Sequence, residues 1–69
     1  MNERLKEAIG YAMYKNQLSK KELAEYMNMS YPTMLSKLND PGTFKISEAE
    51  NLCNYLNIDL NEFINPLND

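Results

Sequence analysis

Apolar residues recur every three or four positions along most of the chain, which is the spacing of an amphipathic helix. No alternating apolar–polar stretch is long enough for a strand, and the chain contains no valine. The predicted fold class is therefore all-α, with five helices. The first covers about residues 3–15 after Asn2 as its cap, and its apolar face comprises Leu5, Ala8, Ile9, Ala12 and Met13.

A second helix is predicted to begin just after Ser19. Ser19 and Glu22 have the three-residue spacing of a capping box, in which each side chain accepts a hydrogen bond from the other residue's backbone. Apolar side chains follow at helical spacing, and Asn28 stands where the chain must bend. Asn tolerates the left-handed conformation better than most residues other than glycine. Together these features predict a short helix that ends in a tight turn.

A third helix is predicted directly after this turn, at about residues 31–38. Ser30 can cap it, and Pro32 falls in its first turn, where a missing N–H costs nothing. Met34 and Leu38, one turn apart, supply a buried face. The two helices form a helix-turn-helix whose second helix has an exposed outer face. Such a face can enter a DNA major groove, so double-stranded DNA is the leading predicted partner.

The remaining chain predicts a loop and two more helices. Pro and Gly interrupt the pattern at residues 39–43. Capping boxes at Ser47–Glu50 and Asp59–Glu62 open a fourth helix at about residues 48–56 and a short fifth helix ended by Pro66. The predicted core consists of Leu5, Ile9, Leu23, Ala24, Met27, Met34, Leu38, Leu52, Cys53 and Leu56.

Three stretches carry a resemblance to a known family: LSKKELAEYMNMS, PTMLSKLNDPGTFKIS and AENLCNYLNIDLNEF. They resemble the Cro/cI-type helix-turn-helix regulators of phages and bacteria, over roughly residues 5–63. The resemblance implies a compact five-helix, lambda-repressor-like domain spanning residues 1–69, and the function of a small phage-encoded Cro-like repressor. The chain departs from the pattern at Asn28, where the family often has glycine, and in the apolar character of helix three's outer face.

Charge is unevenly distributed along the chain. The net charge is −3, whereas DNA-binding domains are usually basic. Residues 15–45 nevertheless carry a net charge of +2, and residues 46–69 contain five acidic residues and no basic one. We therefore expect a basic helix-turn-helix face and an acidic opposite face, a polarity that would orient the domain on DNA.

Helix geometry selects the residues expected to touch DNA. Hydroxyl groups on helix three can bond base edges, apolar side chains there can pack on thymine methyl groups, and lysines can meet phosphates. The N–H groups at the start of helix two also favour an anion. The predicted contact residues are Lys20, Lys21, Ser30, Tyr31, Pro32, Thr33, Leu35, Ser36, Lys37 and Asn39. Leu35 and Tyr31 have structural alternatives, in the core and against helix two respectively.

The composition argues against most other classes of protein. The chain has no histidine and a single cysteine, Cys53, on an apolar helix face, so we expect no enzyme, no metal site, no cofactor and no disulfide framework. No apolar run is long enough to span a membrane, and the first residues lack the apolar core of a signal peptide. The expected location is the cytoplasm, at the nucleoid.

The sequence also supports an alternative function and predicts an oligomeric state. A protein-binding modulator or antirepressor that kept the fold but engages a repressor protein would also explain an acidic chain with Tyr31, Pro32 and Leu35 exposed together. A homodimer is a further expectation, because one recognition helix offers little affinity and two half-sites reinforce each other. Its candidate surface is Phe63, Ile64 and Leu67.

Overall fold

The computed structural model describes residues 2–64, which form an all-α fold without a strand in that range. The helices are α1 (Asn2–Lys15), α2 (Lys20–Met27), α3 (Tyr31–Asn39), α4 (Ile46–Leu56) and α5 (Asn61–Ile64), with a single 3₁₀ turn at Pro41–Thr43. The predicted fold class is confirmed. Helix α1 begins one residue earlier than predicted, at Asn2 itself. Pro66 and Leu67 lie outside the described residues.

Three helices end in the same way, with a residue in the left-handed conformation followed by an apolar residue. Gln17, Asn28 and Asn57 have φ values of 54°, 57° and 62°. After each of them, the next backbone N–H bonds back across the helix end, as from Ile58 to the Cys53 carbonyl at 2.8 Å. These bonds satisfy carbonyl groups that the helix ends would otherwise leave without partners. The turn predicted at Asn28 is confirmed.

The start of α4 corrects the sequence prediction. The helix begins at Ile46 rather than Glu48, and Lys45 rather than Ser47 is its cap residue. The backbone N–H of Lys45 donates to the Glu48 carboxylate at 2.9 Å. The predicted Ser47–Glu50 box is wrong because Glu48, two residues earlier, occupies the position from which a carboxylate reaches back to the cap.

The start of α5 also departs from the predicted box. The Asp59 carboxylate accepts from the backbone N–H of Asn61 at 3.1 Å, which makes a local turn. The helix begins at Asn61, two residues after Asp59, and Leu60 between them is buried in the core.

One hydrophobic core joins the helices, and every residue predicted for it is buried except Met27, which is only partly buried. Leu23, Met34 and Leu52 have no exposed surface. Cys53 is buried as expected, and burial raises the pKa of its thiol. The further buried apolar residues are Ala12, Met13, Phe44, Ala49 and Leu60.

Candidate nucleic-acid interface

The beginning of α2 is fixed by the predicted capping box. The Ser19 hydroxyl accepts from the Glu22 backbone N–H at 3.0 Å, and the Glu22 carboxylate accepts from the Ser19 N–H at 2.8 Å. Both contacts use local groups, so the start of α2 has a defined position and direction. This places the exposed Lys20 and Lys21 in the first turn of the helix. The dipole of a helix favours an anion at this end.

The beginning of α3 is fixed by Ser30. Its hydroxyl accepts from the Thr33 backbone N–H at 3.3 Å and lies 2.9 Å from the Thr33 hydroxyl, to which it donates. Pro32 occupies the first turn, as predicted. Ser30 is exposed, yet its hydroxyl already makes hydrogen bonds within the protein, so the side chain stabilises the start of α3.

The outer face of α3 is open to solvent. Met34 and Leu38 point into the core, and the opposite side exposes Pro32, Thr33 and Ser36. Tyr31 keeps 49% of its surface exposed. Leu35 is half-buried, which is intermediate between the two positions that the sequence allowed, in the core or exposed toward DNA.

Tyr31 lies beside the two lysines that open α2. A depression of about 490 Å³ is lined by Ser19, Lys20, Lys21 and Tyr31. The fold thus brings together an aromatic side chain and two cations that lie ten and eleven positions apart in the sequence. An aromatic and lysine surface of this kind suits contact with the sugar–phosphate backbone.

The sequence analysis did not identify Lys6, which the fold places beside the end of α3. Its Nζ donates to Oδ1 of Asn39, the last residue of α3, at 3.2 Å. A groove of about 380 Å³ between α1, α2 and α3 contains both of these residues together with Lys20 and Leu35. No local pattern signals a contact across 33 positions of sequence. The one sequence feature related to the Lys6–Asn39 contact is the apolar face of α1, because that face determines how the helix packs.

Lys37 stands apart from the other predicted contact residues. Its Nζ lies 3.1 Å from the Glu48 carboxylate and donates to the Thr43 carbonyl at 3.1 Å. The side chain is only 20% exposed and lies over the Phe44 ring. Lys37, predicted from sequence to contact DNA, is therefore engaged within the protein, because the start of α4 supplies an anionic partner beneath α3.

The side of the molecule formed by α4 and α5 has a different character. A groove of about 550 Å³ between the end of α1 and these helices is lined in part by Tyr11, Lys15, Tyr55, Asp59 and Glu62. Tyr55 stacks on Tyr26, with ring centroids 3.8 Å apart. The acidic Asp59 and Glu62 line this groove, and so does Lys15, which belongs to the segment predicted to be basic. Phe63 is partly buried beneath Arg4, whose guanidinium lies 5.2 Å from the ring centre.

Residues 2–64 hold no group of three or more histidine, cysteine, aspartate or glutamate side chains able to bind a metal ion. No described helix is long and apolar enough to cross a membrane.

A capped helix, a tight left-handed turn and a second helix with an open outer face define a helix-turn-helix domain. The family model for the Cro/C1-type HTH DNA-binding domain matches residues 8–69. The chain belongs to this family and is a DNA-binding domain. Comparisons with curated proteins and with solved structures gave no significant match.

Proposed function

We propose that this chain is a sequence-specific transcriptional regulator of the repressor type, of phage or bacterial origin, which reads operator DNA with α3. The observation that carries the proposal is the position of Tyr31 beside Lys20 and Lys21, with the outer face of α3 open next to them. Lysines at the edge of a reading helix hold the phosphate backbone, and this leaves the helix free to reach base edges.

The reading surface is uncharged. Thr33 and Ser36 offer hydroxyl groups, which bond base edges but discriminate weakly between bases. Pro32 and Leu35 offer apolar contact to thymine methyl groups. Specificity in this scheme comes from shape and methyl contact more than from bidentate hydrogen bonds. Ser30 contributes by capping the helix, and Asn39 by holding Lys6 at its far end.

We also propose that residues 1–69 act as one domain and bind DNA as a homodimer at the nucleoid. A helix of nine residues presents few base contacts. Two copies on half-sites about 34 Å apart multiply their affinities without requiring new contacts to DNA. Repression then follows when the bound dimer covers the promoter DNA.

The test begins with duplexes selected from a random library by the purified chain. Binding to the selected duplex and to a scrambled duplex of equal composition is then measured at two salt concentrations. We expect the selected duplex to bind at least about 10³-fold more tightly, and both affinities to fall as salt rises. Tyr31→Ala should weaken binding, whereas Tyr11→Ala, which removes an exposed tyrosine from the other side of α1, should not.

A chain with no salt-dependent affinity for any duplex would contradict the proposal. The protein-partner alternative would then take its place. Tyr31 and Leu35 would be the first positions to label with a photo-crosslinker and test against a candidate repressor.

A further inference from the structure

Gly10 lies in the middle of α1, where nothing within the described chain requires a glycine. It is exposed, and none of the described glycines has a positive φ. A Cβ added at this position would meet no atom within 4 Å apart from its chain neighbours and the backbone of its own helix. Alanine would therefore fit, and a helix interior with alanine is more stable than one with glycine. The domain thus carries a destabilising residue at a place where its own packing gives no reason for one.

The surroundings of Gly10 indicate what that reason is. Gly10 lines the groove between α1, α2 and α3, together with Lys6, Lys20 and Asn39. The lining includes two lysines and no acidic residue. Lys6 bonds Oδ1 of Asn39, which leaves the Asn39 amide N–H groups as donors beside the two cations. This donor set suits a phosphate group.

We propose that this groove receives a phosphate of the DNA backbone, and that Gly10 is glycine so that the phosphate and its sugar can approach the α1 backbone closely. The inference rests on the proposed function. The groove is continuous with the reading surface, because Leu35 and Asn39 of α3 belong to its lining. A missing side chain lets another backbone come near, which is a common use of glycine.

The proposal predicts that folding and DNA binding respond in opposite directions. Gly10→Ala should raise the midpoint of thermal unfolding by about 4 °C, because it removes a helix-interior glycine without a clash. The same variant should bind the duplex selected by the wild-type chain about tenfold more weakly, or about 1.4 kcal/mol. Gly10→Leu, with a larger side chain, should lose more affinity while remaining folded.

Two further variants identify the cause. Tyr11→Ala also introduces a strong helix former into α1, but it lies on the other groove, so it should leave affinity unchanged. Lys6→Gln should lower the slope of log affinity against log salt by about one, whereas Gly10→Ala, which changes no charge, should leave that slope as it is.

Wild-type affinity in Gly10→Ala and Gly10→Leu would overturn the inference while leaving the proposed function intact. Equal losses in Gly10→Ala and Tyr11→Ala would also overturn it, because the effect would then come from the helix and not from the groove. Absence of DNA binding by the wild-type chain would overturn both proposals, and the cationic groove would then be assigned to an acidic protein segment.

Discussion

Two grooves flank α1, and they differ in charge and in what surrounds them. The groove toward α3 contains Lys6 and Lys20 and no acidic side chain. The groove toward α4 and α5 contains Lys15 with Asp59 and Glu62. The two grooves are therefore distinguished by the charged side chains that line them.

This difference explains how an acidic chain can belong to a DNA-binding family. The field near DNA is set by the groups that face it, since screening in physiological salt limits interactions to about 8 Å. A net charge of −3 is thus compatible with a basic contact surface. Acidic residues on the far side discourage binding in the wrong orientation.

The largest expected effect is on the core that holds both grooves together. Leu23→Asp puts a carboxylate at a position with no exposed surface, which costs several kcal/mol against a total stability of about 5–10 kcal/mol. The variant should be unfolded by circular dichroism at room temperature. Lys21→Asp, on the exposed side of the same helix, should stay folded. Cooperative unfolding of a folded Leu23→Asp chain would contradict the position of Leu23 in the core.

A smaller effect is expected on the reading surface beside the cationic groove. Ser36→Ala should reduce discrimination by up to about 1–3 kcal/mol at a single base pair and leave non-specific binding and stability unchanged. Competition binding with all single-base variants of the selected duplex measures this. A loss of discrimination spread evenly over the site, or no loss of discrimination at any base pair, would be inconsistent with a base contact by Ser36.

The contact between Lys37 and Glu48 beneath α3 should make the stability of the domain depend on pH. Hydrogen bonds from the Lys45 backbone N–H and the Lys37 side chain hold the pKa of Glu48 below its ordinary value of 4.5. A carboxyl whose pKa is lower in the folded state stabilises the fold above its unfolded pKa. That contribution is lost as the pH falls through the folded value. Between neutral pH and about pH 3, the free energy of unfolding should therefore fall less in Glu48→Gln than in the wild type, as measured by urea unfolding. If the free energy of unfolding of the two proteins fell equally with pH, this role for Glu48 would be contradicted.

Local chemistry made much of the helix-turn-helix predictable from sequence. Ser19 with Glu22, Asn28, and Ser30 each make backbone hydrogen bonds within four residues, so spacing alone indicates their roles. The apolar periodicity likewise predicted most of the core. Contacts between distant segments were not predictable in this way.

The errors arise where a distant residue decides the outcome. Ser47 and Glu50 have the residue types of a capping box, whereas the Lys45 side chain cannot accept a hydrogen bond. The helix nevertheless begins after Lys45, where the Glu48 carboxylate accepts from the Lys45 N–H and from Lys37 of α3. The sequence likewise gives no sign that Lys37, predicted to contact DNA, bonds Glu48 in α4. The Lys6–Asn39 contact joins α1 to α3 and depends on how the helices pack.

In the proposed complex, DNA lies on the side of α1 that faces α3. The salt dependence of binding by Lys20→Gln and Lys15→Gln, which remove the same charge from the two grooves, distinguishes this side from the other. Lys20→Gln should lower the slope of log affinity against log salt by about one, and Lys15→Gln should leave it at the wild-type value. Equal slopes for the two variants, or a larger loss for Lys15→Gln, would contradict this position of the DNA.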